Sequence, residues 1–276
     1  MIRLLVTGGQ GMLGRAFAQQ AALLPGAEAW APGRNELDTR DADAVLAAAQ
    51  RFKPDWIVHC AARVDVEGCA REPELARATI VDGTCSAVRA AQETGARLFY
   101  PQSFLVYDGA TNPIPDDETP RPLSLYGELK YKAEQIICAA LDDALIVRMA
   151  GFFGGEEADK NFVGRIIPPM FAAMERGETQ FSIGDRVWQP TWTRDLAENS
   201  LQMMLADKQG FYQMACHGQA TFAELAQEIV NALGWQDRFR IEAVDAASVS
   251  RNELGRRPDV AVLDCGRLRA GQLELQ

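Results

Sequence analysis

A chain of 276 residues, 47% hydrophobic and 24% charged, can bury one large α/β core, alone or with a smaller lobe. A formal net charge of −10 argues against a nucleic-acid partner held through its phosphates, and no apolar run is long enough to span a bilayer. The six cysteines form no Cys-x-x-Cys pair and have only His59 and His217 beside them; no metal centre is expected, and reduced thiols of a cytoplasmic protein without a signal peptide are.

The first element is an apolar run over 2–6 that ends in Gly8, Gly11 and Gly14, after which Met12, Leu13, Phe17 and Ala21 repeat with helical spacing. This is strand, tight turn, helix. Such a turn gathers helix N–H groups and the positive end of the helix dipole at one point, where phosphate binds. Glycines let the backbone turn sharply and let a pyrophosphate approach without a Cβ in the way. Pro25-Gly26 stops the helix near Leu24. A short strand is expected over 28–31, closed by Pro32-Gly33-Arg34. Asp41 caps a helix that buries Val45, Leu46 and Ala49 and ends near Phe52, and 56–60 reads as a buried strand.

Beyond an irregular stretch to Glu72, Pro73 opens a long helix closed by Gly95. A fourth strand follows over 97–100, then a proline-rich acidic loop over 112–122, a helix from Ser124 to about Leu141, and a fifth strand over 145–149. Strands alternating with helices predict a doubly wound parallel sheet of Rossmann type, with helices on both faces. After Gly154-Gly155 the alternation loosens: a helix over 161–174 around Pro168-Pro169, a strand over 180–183, a helix opened by Thr193-Arg194-Asp195, and a helix over 219–233 with a Thr221–Glu224 capping box. The expected division is a dinucleotide-binding domain, 1–154 with about 186–213 returning to it, and a smaller mixed α/β substrate lobe, 155–185 and 214–276.

Tyr126-Gly127-Glu128-Leu129-Lys130 places a tyrosine and a lysine on one helix face, and Ser103 lies just off the end of the fourth strand. The three can converge on one pocket; the same spacing also fits a solvated amphipathic helix. In a shared pocket, a cationic Lys130 would favour the Tyr126 phenolate, Tyr126 would give its proton to a carbonyl oxygen, and Ser103 would hold that oxygen, while a nicotinamide supplies hydride. The end of the second strand, Trp30-Ala31-Pro32-Gly33-Arg34, lacks the acid that would bind a ribose 2′-hydroxyl, and Arg34 can pair with a 2′-phosphate. NADPH is therefore expected over NADH. His59 reads as a packed histidine, Asp195 as a helix cap, and Trp188 and Trp192 as either lobe packing or a stacking platform for a base.

These residues resemble the extended short-chain dehydrogenase/reductases, and within them the dTDP-4-dehydrorhamnose reductases. The resemblance rests on the Gly-x-x-Gly-x-x-Gly spacing of Gly8, Gly11 and Gly14, on Arg34-Asn35-Glu36-Leu37-Asp38, on the run from Pro54 to Ala62, and on Val106-Tyr107-Asp108-Gly109. Tyr126-Gly127-x-x-Lys130, Asn161-Phe162-Val163, Pro190-Thr191 with Asp195-Leu196-Ala197, and Arg257-Pro258 with Leu263-Asp264 follow in the family's order. The resemblance implies NAD(P)H-dependent reduction of a nucleotide-linked 4-keto sugar. It places Gly8, Gln10, Gly11, Met12 and Leu13 on the pyrophosphate, Leu37 and Asp38 near the adenine, and Cys60, Ala61 and Ala62 along the adenosine and ribose. It makes Ser103, Tyr126 and Lys130 catalytic, with Tyr126 and Lys130 also touching the cofactor, and assigns Glu67, Phe104, Arg148, Asn161 and Trp188 to the substrate side. A homodimer is the common assembly.

The sequence departs from the family at Phe104 and Leu105, which replace an acid and a tyrosine, at Glu67, at Ile80, and in Asp259-Val260-Ala261 after Arg257-Pro258. Those departures lie in the sugar-nucleotide half and suit a different substrate or a loss of catalysis. A sugar-nucleotide epimerase on the same scaffold and a non-catalytic NADP-binding regulatory subunit are the alternatives.

Overall fold

The computed structural model describes residues 1–155, 159–250 and 253–271. The chain begins β1 (Ile2–Thr7), α1 (Met12–Leu23), β2 (Ala27–Trp30), α2 (Ala42–Phe52), β3 (Trp56–His59). Then come α3 (Val66–Arg71), α4 (Pro73–Arg77), a π-helical turn (Ala78–Asp82), α5 (Gly83–Thr94), β4 (Arg97–Ser103) and a 3-10 turn (Phe104–Val106). These lead to α6 (Leu125–Ala140), β5 (Leu145–Met149), β6 (Phe152–Phe153), α7 (Phe162–Glu175), β7 (Gln180–Gly184), β8 (Val187–Trp188) and β9 (Thr191–Trp192). The remainder is α8 (Thr193–Leu205), β10 (Gly210–Met214), β11 (Ala220–Thr221), α9 (Phe222–Ala232), β12 (Arg240–Val244), α10 (Ala246–Ser250) and α11 (Gly266–Ala270).

Six of these strands form one parallel sheet in the order β10-β5-β4-β3-β1-β2. Successive residues of a strand point to opposite faces, and both faces are covered, so the strands are largely apolar. Leu4 and Val6 join Phe17, Phe99, Leu196 and Leu201 on the face under α1 and α8; Leu5 joins Ile57, Val45, Ala87, Leu98 and Ile137 on the face under α2, α5 and α6. A third core of Met170, Ala173, Ile183, Ala226, Val230 and Phe239 holds the smaller lobe, where β7 pairs with β12 in parallel. Among the described residues no helix is long and apolar enough to cross a membrane.

Several local expectations change. The stretch taken as irregular before Glu72 contains α3, and the long helix expected from Pro73 is divided by the π-helical turn. Pro168 and Pro169 sit inside α7, on its exposed side, where the bonds their missing N–H groups forgo face solvent. Asp195 lies in the first turn of α8 and does not cap it; Trp192 is the residue at the cap. The C-terminal stretch does not stay in the lobe. Ala261, Leu263, Cys265 and Leu268 pack into the core of the large sheet, and Ile114 exchanges backbone hydrogen bonds of 2.7 and 2.9 Å with Val262 and Asp264. That placement corrects the assignment of all of 214–276 to the smaller lobe.

Candidate cofactor and substrate site

The glycine turn is a cradle with no spare room. Gly8 has φ +68°, and a Cβ there would stand 2.8 Å from the Ala61 backbone. One on Gly9 would meet the Ala31 carbonyl oxygen at 2.1 Å, and one on Gly14 the Gly8 carbonyl oxygen at 2.4 Å. The turn is thus pressed between the ends of β2 and β3, and α1 packs down on it. Gly11 is the N-cap of α1; it offers no side chain to the first-turn N–H groups, and no acid lies in that turn. The positive helix end is left open to an anion, and the cradle fits a pyrophosphate. Gln10 and Gly11 are exposed, Leu13 is buried beneath them, and the Gln10 amide lies over Gly33. Met12 takes the Lys160 N–H on its sulfur at 3.3 Å, bringing the second lobe to the rim of the turn.

At the end of β2 the Arg34 side chain is exposed, with its Nε 3.7 Å from the Asp38 carboxylate. Arg40 also pairs with Asp38, and its hydrogen bonds bring that carboxyl down to about 2. Leu37 is buried. Glu36 was not singled out from the sequence, yet its carboxylate accepts the Gly33 N–H at 3.0 Å, so the turn beside Arg34 carries an acid of its own.

Ser103 closes β4, and Tyr126 stands in the first turn of α6, whose N-cap Ser124 accepts the Gly127 N–H at 3.3 Å. The Ser103 side chain favours the ionised form of the Tyr126 phenol, and its oxygen accepts the Leu105 N–H at 3.2 Å. One helical turn on, Lys130 is buried; its Nζ donates to the Pro101 carbonyl at 2.8 Å and lies 3.8 Å from the centre of the Tyr100 ring. Both groups are pushed toward their neutral forms. Burial raises the Tyr126 phenol to about 12 and lowers the Lys130 ammonium to about 7, the latter against the opposing pull of Cys60 and Glu134. The expected lowering of the tyrosine by the lysine does not appear: desolvation prevails, and Ser103 is the group that opposes it. The three side chains nonetheless stand together at the carboxyl ends of the strands, where sheets of this kind bind ligands.

Cys60 is half-buried, its thiol raised to about 12 by burial, and the Ala61 N–H reaches Thr7 Oγ1 at 3.4 Å. The same hydroxyl lies 2.9 Å from Nδ1 of His59. Burial brings His59 down to about 3, so it is a neutral, packed imidazole. Ala62 is half-buried beside these residues.

The substrate-side assignments fare differently. Phe104 lies in the 3-10 turn after Ser103 and is half-buried. A Cβ on Gly151 would come within 2.3 Å of the Trp188 ring and 3.6 Å of Phe104, so these three define one wall. Trp188 itself is 5% exposed, set edge-on to Phe162 and Phe222, which makes it a packing residue; Trp192, at 41%, is the tryptophan with an open face. Arg148 does not reach toward a ligand. It is buried, its Nη2 is 2.7 Å from one Glu134 oxygen and its Nε 3.2 Å from the other, and its Nη1 donates to Tyr107 at 2.7 Å. Each of its three nitrogens has a partner inside the protein, which corrects its assignment to the substrate side. Glu67 likewise turns to the C-terminal segment, accepting the Leu254 and Gly255 N–H groups at 2.9 and 3.2 Å and approaching Arg257 at 3.4 Å. Asn161 is the N-cap residue of α7, and its amide donates to the Phe152 carbonyl at 2.8 Å.

Five likenesses to known proteins stand out. The family model for the RmlD substrate binding domain matches residues 2–275. A dTDP-4-dehydrorhamnose reductase from Streptomyces griseus is 33% identical over 282 residues, covering 99% of this chain and 88% of that protein, and methionine adenosyltransferase 2 subunit beta from Xenopus tropicalis is 28% identical, covering 96% and 81%. In fold, the dTDP-4-dehydrorhamnose reductase structure from Clostridium acetobutylicum superposes with a TM-score of 0.89 at 24% identity, covering 100% of this chain and 94% of that one. The Bacillus anthracis enzyme of the same name, solved in complex with NADP, gives 0.86 with the same identity and coverage. A glycine cradle, a serine–tyrosine–lysine group at the strand ends and a match along almost the whole chain make this protein a member of the RmlD substrate binding domain family.

Proposed function

We propose that this protein reduces the keto group of a nucleotide-linked 4-keto sugar, with NADPH as the reductant. The observation that carries this reading is the grouping of Ser103 at the end of β4, Tyr126 in the first turn of α6 and the buried Lys130 one turn behind it, at the strand ends that also form the glycine cradle. The cradle of Gly8, Gly11 and Gly14 and the open end of α1 would hold the pyrophosphate, and Arg34 a 2′-phosphate. Bound NADPH supplies the hydride that reaches the carbonyl carbon.

The rest is done by the chain. Ser103 positions the carbonyl oxygen by a hydrogen bond. Tyr126, held as the neutral phenol by its burial, carries the proton that this oxygen takes up as it becomes a hydroxyl. A positive charge on Lys130 lessens the cost of the phenolate left behind, which is then reprotonated from water. Phe104, where an acid would stand beside the catalytic hydroxyl in a dehydratase, favours reduction over elimination.

The test is NADPH oxidation, followed by nicotinamide absorbance, with a panel of dTDP-, UDP- and GDP-linked 4-keto sugars. Turnover of one of them is expected, and Tyr126→Phe should lower kcat by about a hundredfold or more. Tight NADPH binding with silence across the panel overturns the reading. That result would favour a second one, a non-catalytic NADP-binding subunit, which has its support in the 28% identity to a methionine adenosyltransferase subunit over 96% of the chain. A homodimer is the assembly that goes with the reductase reading, to be read by light scattering.

A further inference from the structure

Lys130 poses a problem that the proposed chemistry leaves open. Its ammonium is 97% removed from solvent, as its 3% exposure shows, and its one side-chain hydrogen bond among the described residues goes to a neutral acceptor, the Pro101 carbonyl. No carboxylate is bonded to it: Glu134, one turn further along α6, gives its oxygens to Arg148 and Gln102. A buried ammonium without a counter-ion gives up its proton unless something else favours the charge.

What faces it is an aromatic ring. Nζ stands 3.8 Å from the centre of the Tyr100 ring, well inside the distance at which a ring face attracts a cation. The ring is held in place from two sides. The phenol end lies by Thr84, whose hydroxyl donates to the Ile80 carbonyl of the π-helical turn at 2.6 Å. His59 stacks on Tyr100 at 6.1 Å with the planes 21° apart, and Thr7 fixes that imidazole through Nδ1. The other groups around Lys130 are Cys60 at the end of β3 and, on its own helix, Tyr126 and Glu134. His59, at the end of β3, and Cys60, just after it, are neutral, and the Glu134 carboxylate, which favours the ammonium without bonding to it, is paired with Arg148.

We propose that Tyr100 is a positioning residue whose ring face serves as the counter-group of the Lys130 ammonium, keeping it charged and aligned behind Tyr126. The role in catalysis rests on the reductase reading; the contact itself does not. In this arrangement β4 supplies both the ring and the carbonyl that Lys130 uses. The lowering of Lys130 by burial is the opposing force, which the ring face offsets in part.

The experiment replaces the electrostatics of the ring without changing its shape. Protein labelled at the lysine ε-carbon is titrated by NMR as wild type, as Tyr100→Phe, and with tri-fluorinated phenylalanine at position 100; Lys130→Met identifies the resonance. Phe keeps the face and loses only the hydroxyl, so its Lys130 midpoint should match wild type. Fluorination depletes the face, so that midpoint should fall by about half to one pH unit. A midpoint that is the same in the Phe and trifluoro variants overturns the proposal. Tyr100→Leu, if folded, should show the largest fall, and an unchanged midpoint there would overturn it equally. The readout needs neither substrate nor turnover. Silence of the sugar panel would remove the reductase reading and leave this result standing, and an insensitive midpoint would remove Tyr100's role and leave the reductase reading standing.

Discussion

Gly127 lies so close to Leu105 that a Cβ on it would stand 2.3 Å from the Leu105 carbonyl oxygen, and 2.8 Å from Pro122. The first turn of α6 therefore rests directly on the 3-10 turn that follows Ser103. This contact sets Tyr126 against Ser103, because Tyr126 adjoins Gly127 and Ser103 lies two residues before Leu105. Gly127→Ala has no flexible side chain to push aside; it must move backbone. The variant should lose about 1–3 kcal/mol of stability. Its kcat should fall about tenfold or more, as a misplaced reacting group requires. NADPH affinity should hold, since the glycine cradle is untouched. Denaturant unfolding, turnover and cofactor titration on one preparation check all three; unchanged kcat would show that the contact does not set the tyrosine.

The large sheet was legible because its signals are local. The apolar runs over 2–6, 56–60 and 145–149 each sit between a glycine or proline and a helical repeat, and parallel strands covered on both faces need little else. The Ser103, Tyr126 and Lys130 group was legible through spacing. Side-chain partners were not. Nothing in the sequence says that Arg148 is taken by Glu134, which lies fourteen residues away on a different element, or that Glu67 reaches a segment nearly two hundred residues on. Tyr100 read as one more apolar position of a buried strand, and only the packing reveals the ammonium on its face. β12 was missed because it is short and mostly exposed, and the alternation of Arg240, Ile241, Glu242 and Ala243 covers only four residues.

Arg34 and Glu36 make opposite offers at the end of β2: an exposed guanidinium that suits a 2′-phosphate, and a carboxylate that suits a free 2′-hydroxyl. Glu36 is engaged by the Gly33 N–H, whereas Arg34 has only a 3.7 Å approach to Asp38, a carboxylate already held by Arg40. Arg34→Ala should weaken NADPH binding by about tenfold, the scale of one charge-assisted contact, and leave NADH nearly as before. Titrating both cofactors against wild type and variant gives the ratio; a ratio that does not move would take the 2′-phosphate away from Arg34.

Glu67 joins the two halves of the molecule. From α3, which follows the Cys60–Ala62 stretch, its carboxylate holds the Leu254 and Gly255 N–H groups and Arg257. Arg257 in turn lies 3.5 Å from Glu253, which grips the buried Arg186 at 2.7 and 2.8 Å, immediately before β8 and Trp188. The carboxyl is buried enough to be penalised, yet those N–H groups and Arg257 bring it below its ordinary value. Glu67→Gln keeps the shape and removes the charge. We expect KM for the sugar nucleotide to rise about tenfold, with kcat and NADPH affinity within about twofold of wild type, because the substrate wall is set by this chain of contacts and the cradle is not. Equal losses in all three parameters would mean that the residue serves stability alone.

His59 makes acid a threat to the fold. Its ordinary value is 6.5 and burial brings it to about 3, with the Lys130 charge adding to the effect. Between those two values the unfolded chain binds a proton at this residue and the folded chain does not. Stability from this source is therefore complete above 6.5, falls as the pH drops through the interval, and stays at its lowest below about 3. The steepest loss is about 1.4 kcal/mol per pH unit. His59→Asn cannot take up that proton. Carboxylates titrate in both proteins, so the comparison isolates the histidine. Urea unfolding at intervals between the two values should show wild type losing stability faster than the variant, starting from a lower variant stability at neutral pH, where Thr7 loses its imidazole partner and Tyr100 its stacking neighbour. Parallel curves would mean that His59 is protonated in the folded protein as readily as in the unfolded chain.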